Sequence, residues 1–379
     1  LVAKEMSRPY DVIIIGAGPA GASLALFLAR HRVRVLIIDR KEFPRAKPCA
    51  GAVPLAIQDL LELSLEGVIH QRVHQVEVAA GAQRTTFGSL HAPWLVTVNR
   101  MEFDHWLLKQ AAMAGVEVML GEPVTGVHMR PEWGEVVTDS CELQARIVVG
   151  ADGRRSILAS TVDPRPCRTV VTMAGEVWGG GSLLKAWEGR AMVDLAAVRW
   201  GYGWIFPKRD HLAVGVGGIG SAREIQEAFH PFLDRVVPQC ALQHERFYAY
   251  PLWSGRRSVA AHRALLVGDA ACLANPTTGA GIYTAVWSSR LASRAIRRAL
   301  VRRDGNLSLY QRLVDEMILP EMRAAYRLAK LLYLAPRLCI TRGLSRREIQ
   351  RRWSPEQTGQ AYRAVHRYVM RSLFPLALG

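Results

Sequence analysis

The chain begins its patterned region with Tyr10-Asp-Val-Ile-Ile-Ile-Gly16, a short, almost unbroken apolar run that stops at glycine. Such a run reads as a strand buried on both faces, the habit of parallel sheets. An apolar helix is predicted from the following glycines through Ala29 to His31, and Arg34-Val-Leu-Ile-Ile-Asp39 is a second strand ending in a carboxylate. Two later runs, Ala145–Gly150 and Ala264–Gly268, end in the same punctuation, Asp152-Gly153 and Gly268-Asp269. The middle of the chain changes period. Tyr202, Trp204 and Phe206 alternate with smaller residues and share one face of a predicted strand. After Gly281 a long helix is predicted, and beyond Leu300 the pattern is helical again, with basic residues set among apolar clusters at Ala324–Ala335.

The first loop, Gly16-Ala-Gly18-Pro19-Ala20-Gly21, has a spacing with a mechanism. Gly16 makes the tight turn, Gly18 lets backbone approach a pyrophosphate at the helix N-terminus, and Gly21 lets helix and strand pack closely. Asp39, with Arg40 beside it, stands where an acid binds a ribose diol. Strand, loop, helix, second strand and terminal acid in this order specify a dinucleotide-binding unit. Gly215-Val-Gly217-Gly-Ile-Gly220 matches the same pattern, but Val236–Glu245 supplies no apolar strand ending in an acid, so it is read as a glycine-rich strand end. Several separated segments thus converge on one extended ligand.

These segments resemble the glutathione-reductase-like FAD fold in its para-hydroxybenzoate-hydroxylase branch. The resemblance implies that Asp152 and Gly153 lie near the cofactor, that Gly268 and Asp269 hold its ribityl chain, and that Arg100, in Asn99-Arg100-Met-Glu-Phe103-Asp104, contacts it. A helix opening at Gly279-Ala280-Gly281-Ile282 would aim backbone N–H groups at the flavin pyrimidine edge. Lys47-Pro48-Cys49-Ala50-Gly51 and Gly201-Tyr202-Gly-Trp204-Ile-Phe206-Pro207 narrow the resemblance, over Tyr10 to Leu300, to the geranylgeranyl reductase family. Arg199, Ala50, Cys272 and Ala280 depart from that family's pattern. The implied fold class is α/β: an FAD-binding Rossmann domain, a second mixed-sheet substrate domain and a C-terminal helical region. The expected division is 8–60, 96–162 and 262–300 for the discontinuous FAD domain, 61–95 and 163–261 for the substrate domain, and 301–379 for the basic helices.

The implied activity is FAD-dependent saturation of C=C bonds in an isoprenoid chain, a prenyl lipid, prenyl diphosphate or prenylquinone, by hydride transfer from reduced flavin. NAD(P)H or a ferredoxin-type donor would supply the electrons. An isolated alkene is a poor hydride acceptor, so one carbon must be protonated, and aromatic faces stabilise the charge that develops. Tyr202 and Trp204 are the catalytic candidates on this ground, and Tyr202, Trp204, Phe206 and Pro207 the substrate-binding ones; plain core packing of the aromatic row is the alternative. Cys49, placed at a helical start beside Lys47, reads as an activated thiol, a proton donor or a residue that tunes the flavin, against a buried inert cysteine. Together with Ala50 and Gly51 it is also counted with the cofactor-binding set. A monooxygenase or halogenase acting on an aromatic substrate shares the fold and the Asp152 and Asp269 motifs, and a flavin-binding protein without net redox chemistry is the third reading. His70 and His74 have helical zinc spacing without an HExxH frame, so no metal is expected, and no GxSxG elbow supports a hydrolase.

Charge changes the picture of partners. The net charge is +16, and Arg290–Gly379 holds 19 Lys+Arg against 6 Asp+Glu, leaving the rest nearly neutral. Arg342, Arg346, Arg347, Arg351 and Arg352 extend this basic stretch, which fits an anionic membrane surface or a diphosphate head group. No reader module accompanies the charge, which excludes nucleic acid as the expected partner. Six scattered cysteines without a CxxC pair, no signal h-region and no spanning apolar stretch give a cytoplasmic expectation, peripheral to the cytoplasmic membrane face.

Overall fold

The computed structural model describes residues 9–88 and 93–344. Arg346, Arg347, Arg351 and Arg352 lie outside the described residues, as does the side chain of Arg342. The protein is of the mixed α/β class, with a parallel-centred sheet, a second mixed sheet and a helical C-terminal region.

Parallel strands form the centre of the first sheet. In spatial order they are Ala264–Leu266, Glu142–Gly150, Tyr10–Ile15, Val35–Asp39 and Glu117–Leu120. Ala260–Ala261 extends one edge, and the hairpin Val124–Met129 and Gly134–Thr138 pairs antiparallel to Glu142–Gly150. Val12, Ile13 and Ile14 are fully buried, as their unbroken apolar pattern requires, because helices Pro19–Ala29, Arg100–Met113 and Ile282–Arg302 cover the sheet. Gly21 is demanded by this contact: a Cβ there would run into the Gly16 carbonyl oxygen and stand 3.2 Å from the Ile14 Cγ2. The C-terminal ends of the parallel strands form one edge, where ligands of such sheets bind.

The second sheet runs Ala241–Leu252, Arg168–Trp178, His211–Gly218, Gly201–Pro207, Arg190–Asp194, Gln75–Ala80 and Gln83–Gly88. Neighbours are antiparallel except Gln75–Ala80 with Arg190–Asp194. A separate three-stranded sheet runs Ala52–Pro54, Leu95–Val98 and Ile69–Val73. Helix Leu319–Leu334 buries Ala325, Leu328 and Leu332 against Ala80 and Phe87 of the second sheet and Leu195 just after one of its strands, so the described part of the C-terminal region shares a core with it.

Gly179-Gly-Gly181 leads into a short helix, Gly181–Trp187. His70 lies in the strand Ile69–Val73, away from any helical spacing with His74, and no group of potential metal ligands occurs among the described residues. Cys167 and Cys272 are paired as a disulfide with Cα atoms 6.4 Å apart, a contact that their sequence separation of 105 hides.

The Gly215–Gly220 motif lies on an interior antiparallel strand, so it opens no parallel βαβ unit. Its glycines make room for an indole: a Cβ on Gly215 would overlap the Trp204 ring, and one on Gly217 would come 2.5 Å from Thr172 Cγ2. Replacing Gly215 with Ala is therefore expected to lower unfolding free energy by about 1–3 kcal/mol, the usual cost of overpacking. Urea unfolding followed by tryptophan fluorescence checks this; an unchanged midpoint and spectrum would refute the contact.

Candidate active site

The ligand-facing edge of the first sheet and one face of the second enclose a cavity of about 1140 Å³. Gly16, Gly18, Pro19, Ala20, Asp39, Arg40, Cys49, Ala50, Gly51, Arg100, Asp152, Gly153, Asp269, Gly279, Ala280, Gly281 and Ile282 all line it. Tyr202, Trp204 and Phe206 line it as well. Gly21, Gly268 and Pro207 do not. Gly21 serves the helix–strand contact; Gly268, at φ +59°, would bring a Cβ to 2.9 Å from Ala20 Cβ; and Pro207 is turned into the core, its carbonyl accepting from Thr97 Oγ1 at 2.6 Å.

The cradle is made by backbone. Helix Pro19–Ala29 begins after Gly18 and helix Ile282–Arg302 after Gly281, and neither has a side-chain cap. Their first N–H groups therefore lack intrahelical partners and face the end where the cavity lies, a setting that favours anionic or electron-rich groups. Gly16, at φ +105°, makes the turn that brings this loop within reach of Ala151 and Asp152; a Cβ there would stand 2.5 Å from the Ala151 oxygen. Asp39 accepts from the Ala17 N–H at 2.7 Å and the Lys41 N–H at 2.9 Å, so it fixes the loop while keeping lone pairs for a ribose hydroxyl.

Asp152 is half-buried and accepts from the Ile157 N–H at 2.9 Å, whereas its buried Oδ1 has no partner. Burial pushes its pKa up. An orphaned, buried acceptor on the wall of a cavity calls for a ligand donor, which the ribose and adenine of FAD provide. The uncapped helix ends, Asp39 and Asp152 together fit this cofactor.

Arg45 completes the cradle, and nothing in the sequence pattern distinguished it. Its Nη2 lies 3.2 Å from Asp104 Oδ2 and would be 3.4 Å from a Cβ on Gly18, beside the place for a pyrophosphate. Asp104 also takes both forks of Arg100, at 2.8 Å each. Burial works to lower the Arg100 pKa, but Asp104 and Cys49 overcome it, so the guanidinium is held charged.

Cys49 departs from the expected helical start. It lies in an exposed turn after Pro48 that leads to the strand Ala52–Pro54, and Gly51, at φ +63°, shapes that turn. The Gly51 N–H points at the sulfur at 3.3 Å, and the Arg100 guanidinium is near enough to interact with it electrostatically. Beneath the turn is Lys208, a second residue the sequence pattern does not reveal: its Nζ donates to Ala50 O at 2.6 Å and Val98 O at 2.9 Å. Burial pushes Lys208 down to about 7.

The apolar side of the cavity carries the aromatic row. Tyr202 and Trp204 meet edge to face at 5.8 Å, and Trp204 is buried with no partner for its indole N–H. The turn Asn275–Gly279 is gripped from two elements. Tyr202 donates to the Thr278 carbonyl, and Tyr333, from the C-terminal helix, donates to the Thr277 carbonyl at 2.5 Å. Thr277 returns a bond to the Ala325 carbonyl at 2.6 Å. Tyr250 reaches the same turn at Gly279, and burial raises its pKa well above the usual phenol value.

Comparison with known proteins agrees with this geometry. A family model described as an FAD binding domain matches residues 9–178. A menaquinone reductase of Mycobacterium tuberculosis is 28% identical over 325 residues, 76% of each chain. A chloroplastic geranylgeranyl diphosphate reductase of Oryza sativa subsp. japonica is 29% identical over 315 residues, 76% of this chain and 66% of the relative. Among solved structures, a geranylgeranyl bacteriochlorophyll reductase-like protein of Thermoplasma acidophilum superposes with a TM-score of 0.82 at 18% identity, over 97% of each chain. A flavin-dependent brominase superposes with a TM-score of 0.76 at 18% identity, over 95% of this chain and 94% of that one, and shares the fold.

Replacing Arg45 with Met is expected to weaken FAD binding about 10- to 100-fold, the worth of one charge-assisted hydrogen bond. Flavin fluorescence titration of the apoprotein measures it, and an unchanged dissociation constant would remove Arg45 from the cradle.

Proposed function

We propose that this chain, an FAD-dependent oxidoreductase similar to proteins named menaquinone reductase and geranylgeranyl diphosphate reductase, saturates C=C bonds of an isoprenoid chain carried by a prenyl lipid, prenyl diphosphate or prenylquinone. The observation that carries the reading is the aromatic row Tyr202, Trp204 and Phe206 set in the same cavity as the dinucleotide cradle and Cys49. The names of relatives that act on menaquinone and on geranylgeranyl diphosphate support it.

With FAD bound, the site gains a two-electron hydride source that no side chain offers, refilled by NAD(P)H or a ferredoxin-type donor. The protein's own groups do the rest. Apolar walls at Val76, Val78, Val193 and Leu195 hold a greasy chain and exclude water. Saturation adds one hydride and one proton across the double bond, and the faces of Tyr202 and Trp204 stabilise positive charge developing on the substituted carbon. The Cys49 sulfur, beside the fixed Arg100 cation, is the thiol placed to hold or move a proton.

The C-terminal helix also suits a lipid surface. Leu334 and Leu338 are exposed, close in sequence to the cavity-lining Leu332 and Tyr333, and Arg327, Lys330 and Arg337 are exposed around them. No helix among the described residues is long and apolar enough to cross a membrane. Peripheral attachment to the cytoplasmic membrane face is part of the proposal.

Anaerobic reduction of the purified protein, followed by addition of prenyl diphosphates, prenylquinones or aromatic acids, tests the reaction. Flavin reoxidation coupled to a hydrogenated isoprenoid is expected; turnover only with oxygen, giving a hydroxylated or halogenated aromatic, would overturn it. Trp204→Ala should lower turnover about 10-fold or more while FAD stays bound, the scale of one cation–π contact. Cosedimentation with anionic vesicles should weaken about fivefold for each of Arg327, Lys330 and Arg337 changed to Gln; equal binding to neutral vesicles would exclude the charged surface.

A further inference from the structure

Lys208 is a buried amine with no place in the reaction just described. It follows the last residue of the aromatic strand Gly201–Pro207, which is itself pinned to the neighbouring sheet by the Thr97 hydroxyl on the Pro207 carbonyl. Its own N–H donates to the His211 carbonyl at 2.8 Å, closing the turn, while the side chain runs the other way. The Nζ bridges Ala50 O and Val98 O, two carbonyls from different segments. Val98 N–H donates to Gly51 O at 2.8 Å, so the Cys49–Gly51 turn is tied down at both of its following residues. A Cβ on Gly51 would stand 2.6 Å from Nζ, which shows how closely the amine lies beneath the turn.

We propose that Lys208 is a positioning residue: its side chain joins the end of the aromatic strand to the Cys49–Gly51 turn and thereby fixes the Cys49 thiol relative to Tyr202, Trp204 and Phe206. A methionine of similar length would fill the space and make neither bond. An arginine would keep the donors and the charge.

The charged and titratable groups facing this joint are few. Cys49 in the turn and Glu176 on the strand Arg168–Trp178 favour the Lys208 cation, whereas Arg100 at the start of its helix opposes it. Tyr250 faces Cys49 from the strand Ala241–Leu252, and Asp104 and Arg45 stand behind Arg100. Since burial brings Lys208 to about 7, the cation beside Cys49 is present below that pH and lost above it, while the neutral amine still has N–H donors for both carbonyls. Rising pH therefore removes a positive charge beneath the turn without removing the tether.

The test uses the FAD-loaded full chain and needs no substrate. Alkylation of Cys49 by iodoacetamide is followed by peptide mass spectrometry from about pH 6 to about pH 9, with Cys141 and Cys240 as internal references. In the wild type the pH profile of the Cys49 rate is expected to carry the loss of the Lys208 charge at about 7. K208M should change the rate at about pH 7 by about fivefold or more, the effect of losing either of its two hydrogen bonds, with the reference cysteines and FAD content unchanged. K208R should return the rate to within about twofold and remove that loss from the profile, because its charge does not titrate in this range. Wild-type rate and profile in an FAD-retaining K208M would overturn the proposal. If K208M fails to retain FAD, K208R decides alone: a profile without that loss supports the role, and an unchanged one refutes it.

Discussion

One carboxylate holds the catalytic half of this molecule together. Asp104 has no solvent exposure and takes the Arg100 fork and the Arg45 guanidinium at once. Removing one partner of such a buried pair typically costs about 3–5 kcal/mol, because it strands a charge in a low-dielectric interior. The arrangement converts that penalty into position. Arg45 is held beside the glycine loop, Arg100 beside the cysteine turn, and both are anchored on Asp104, a single point on the helix Arg100–Met113. Phosphate cradle and thiol are thus set at a fixed spacing by electrostatics, while the surrounding apolar core sets the orientation of the elements that carry them.

What could be read from the sequence follows from the range of the forces involved. The first strand, loop, helix and acid were legible because each step depends on neighbours in the chain: apolar runs demand burial, Gly16 demands a positive φ, and Asp39 ends the next strand. The common face of Tyr202, Trp204 and Phe206 was legible from a period of two. Arg45 and Lys208 were not, since each acts on partners brought near only by the fold: Arg45 on Asp104, and Lys208 on carbonyls more than a hundred residues away. The supposed helical start at Cys49 failed for a local reason, the turn that Pro48 and Gly51 impose. The second glycine motif misleads because glycine admits a bulky neighbour as readily as it admits a phosphate, and here the neighbour is the Trp204 indole.

The C-terminal helices have two faces with separate duties. The apolar face of Leu319–Leu334 completes the core beneath Ala80 and Leu195, and Tyr333 and the Ala325 carbonyl grip the turn at Thr277. The opposite face presents Arg327 and Lys330 to solvent. Charge density in this region is therefore compatible with a structural role for the same helix, and the excess of arginine need not mark an independent module.

The bond between Cys167 and Cys272 gives the chain a covalent topology as well as a fold. Residues between them form a ring that contains the strands Arg168–Trp178, His211–Gly218, Gly201–Pro207 and Ala241–Leu252. A cut anywhere in that ring leaves both fragments tethered, so the aromatic strand and the Asp269 turn stay in one molecule until the sulfurs are reduced. Closing a loop of this length also restricts the unfolded chain by about 4–5 kcal/mol in the entropic account. The part of the protein that would carry substrate is in this sense strung on its own closed circuit.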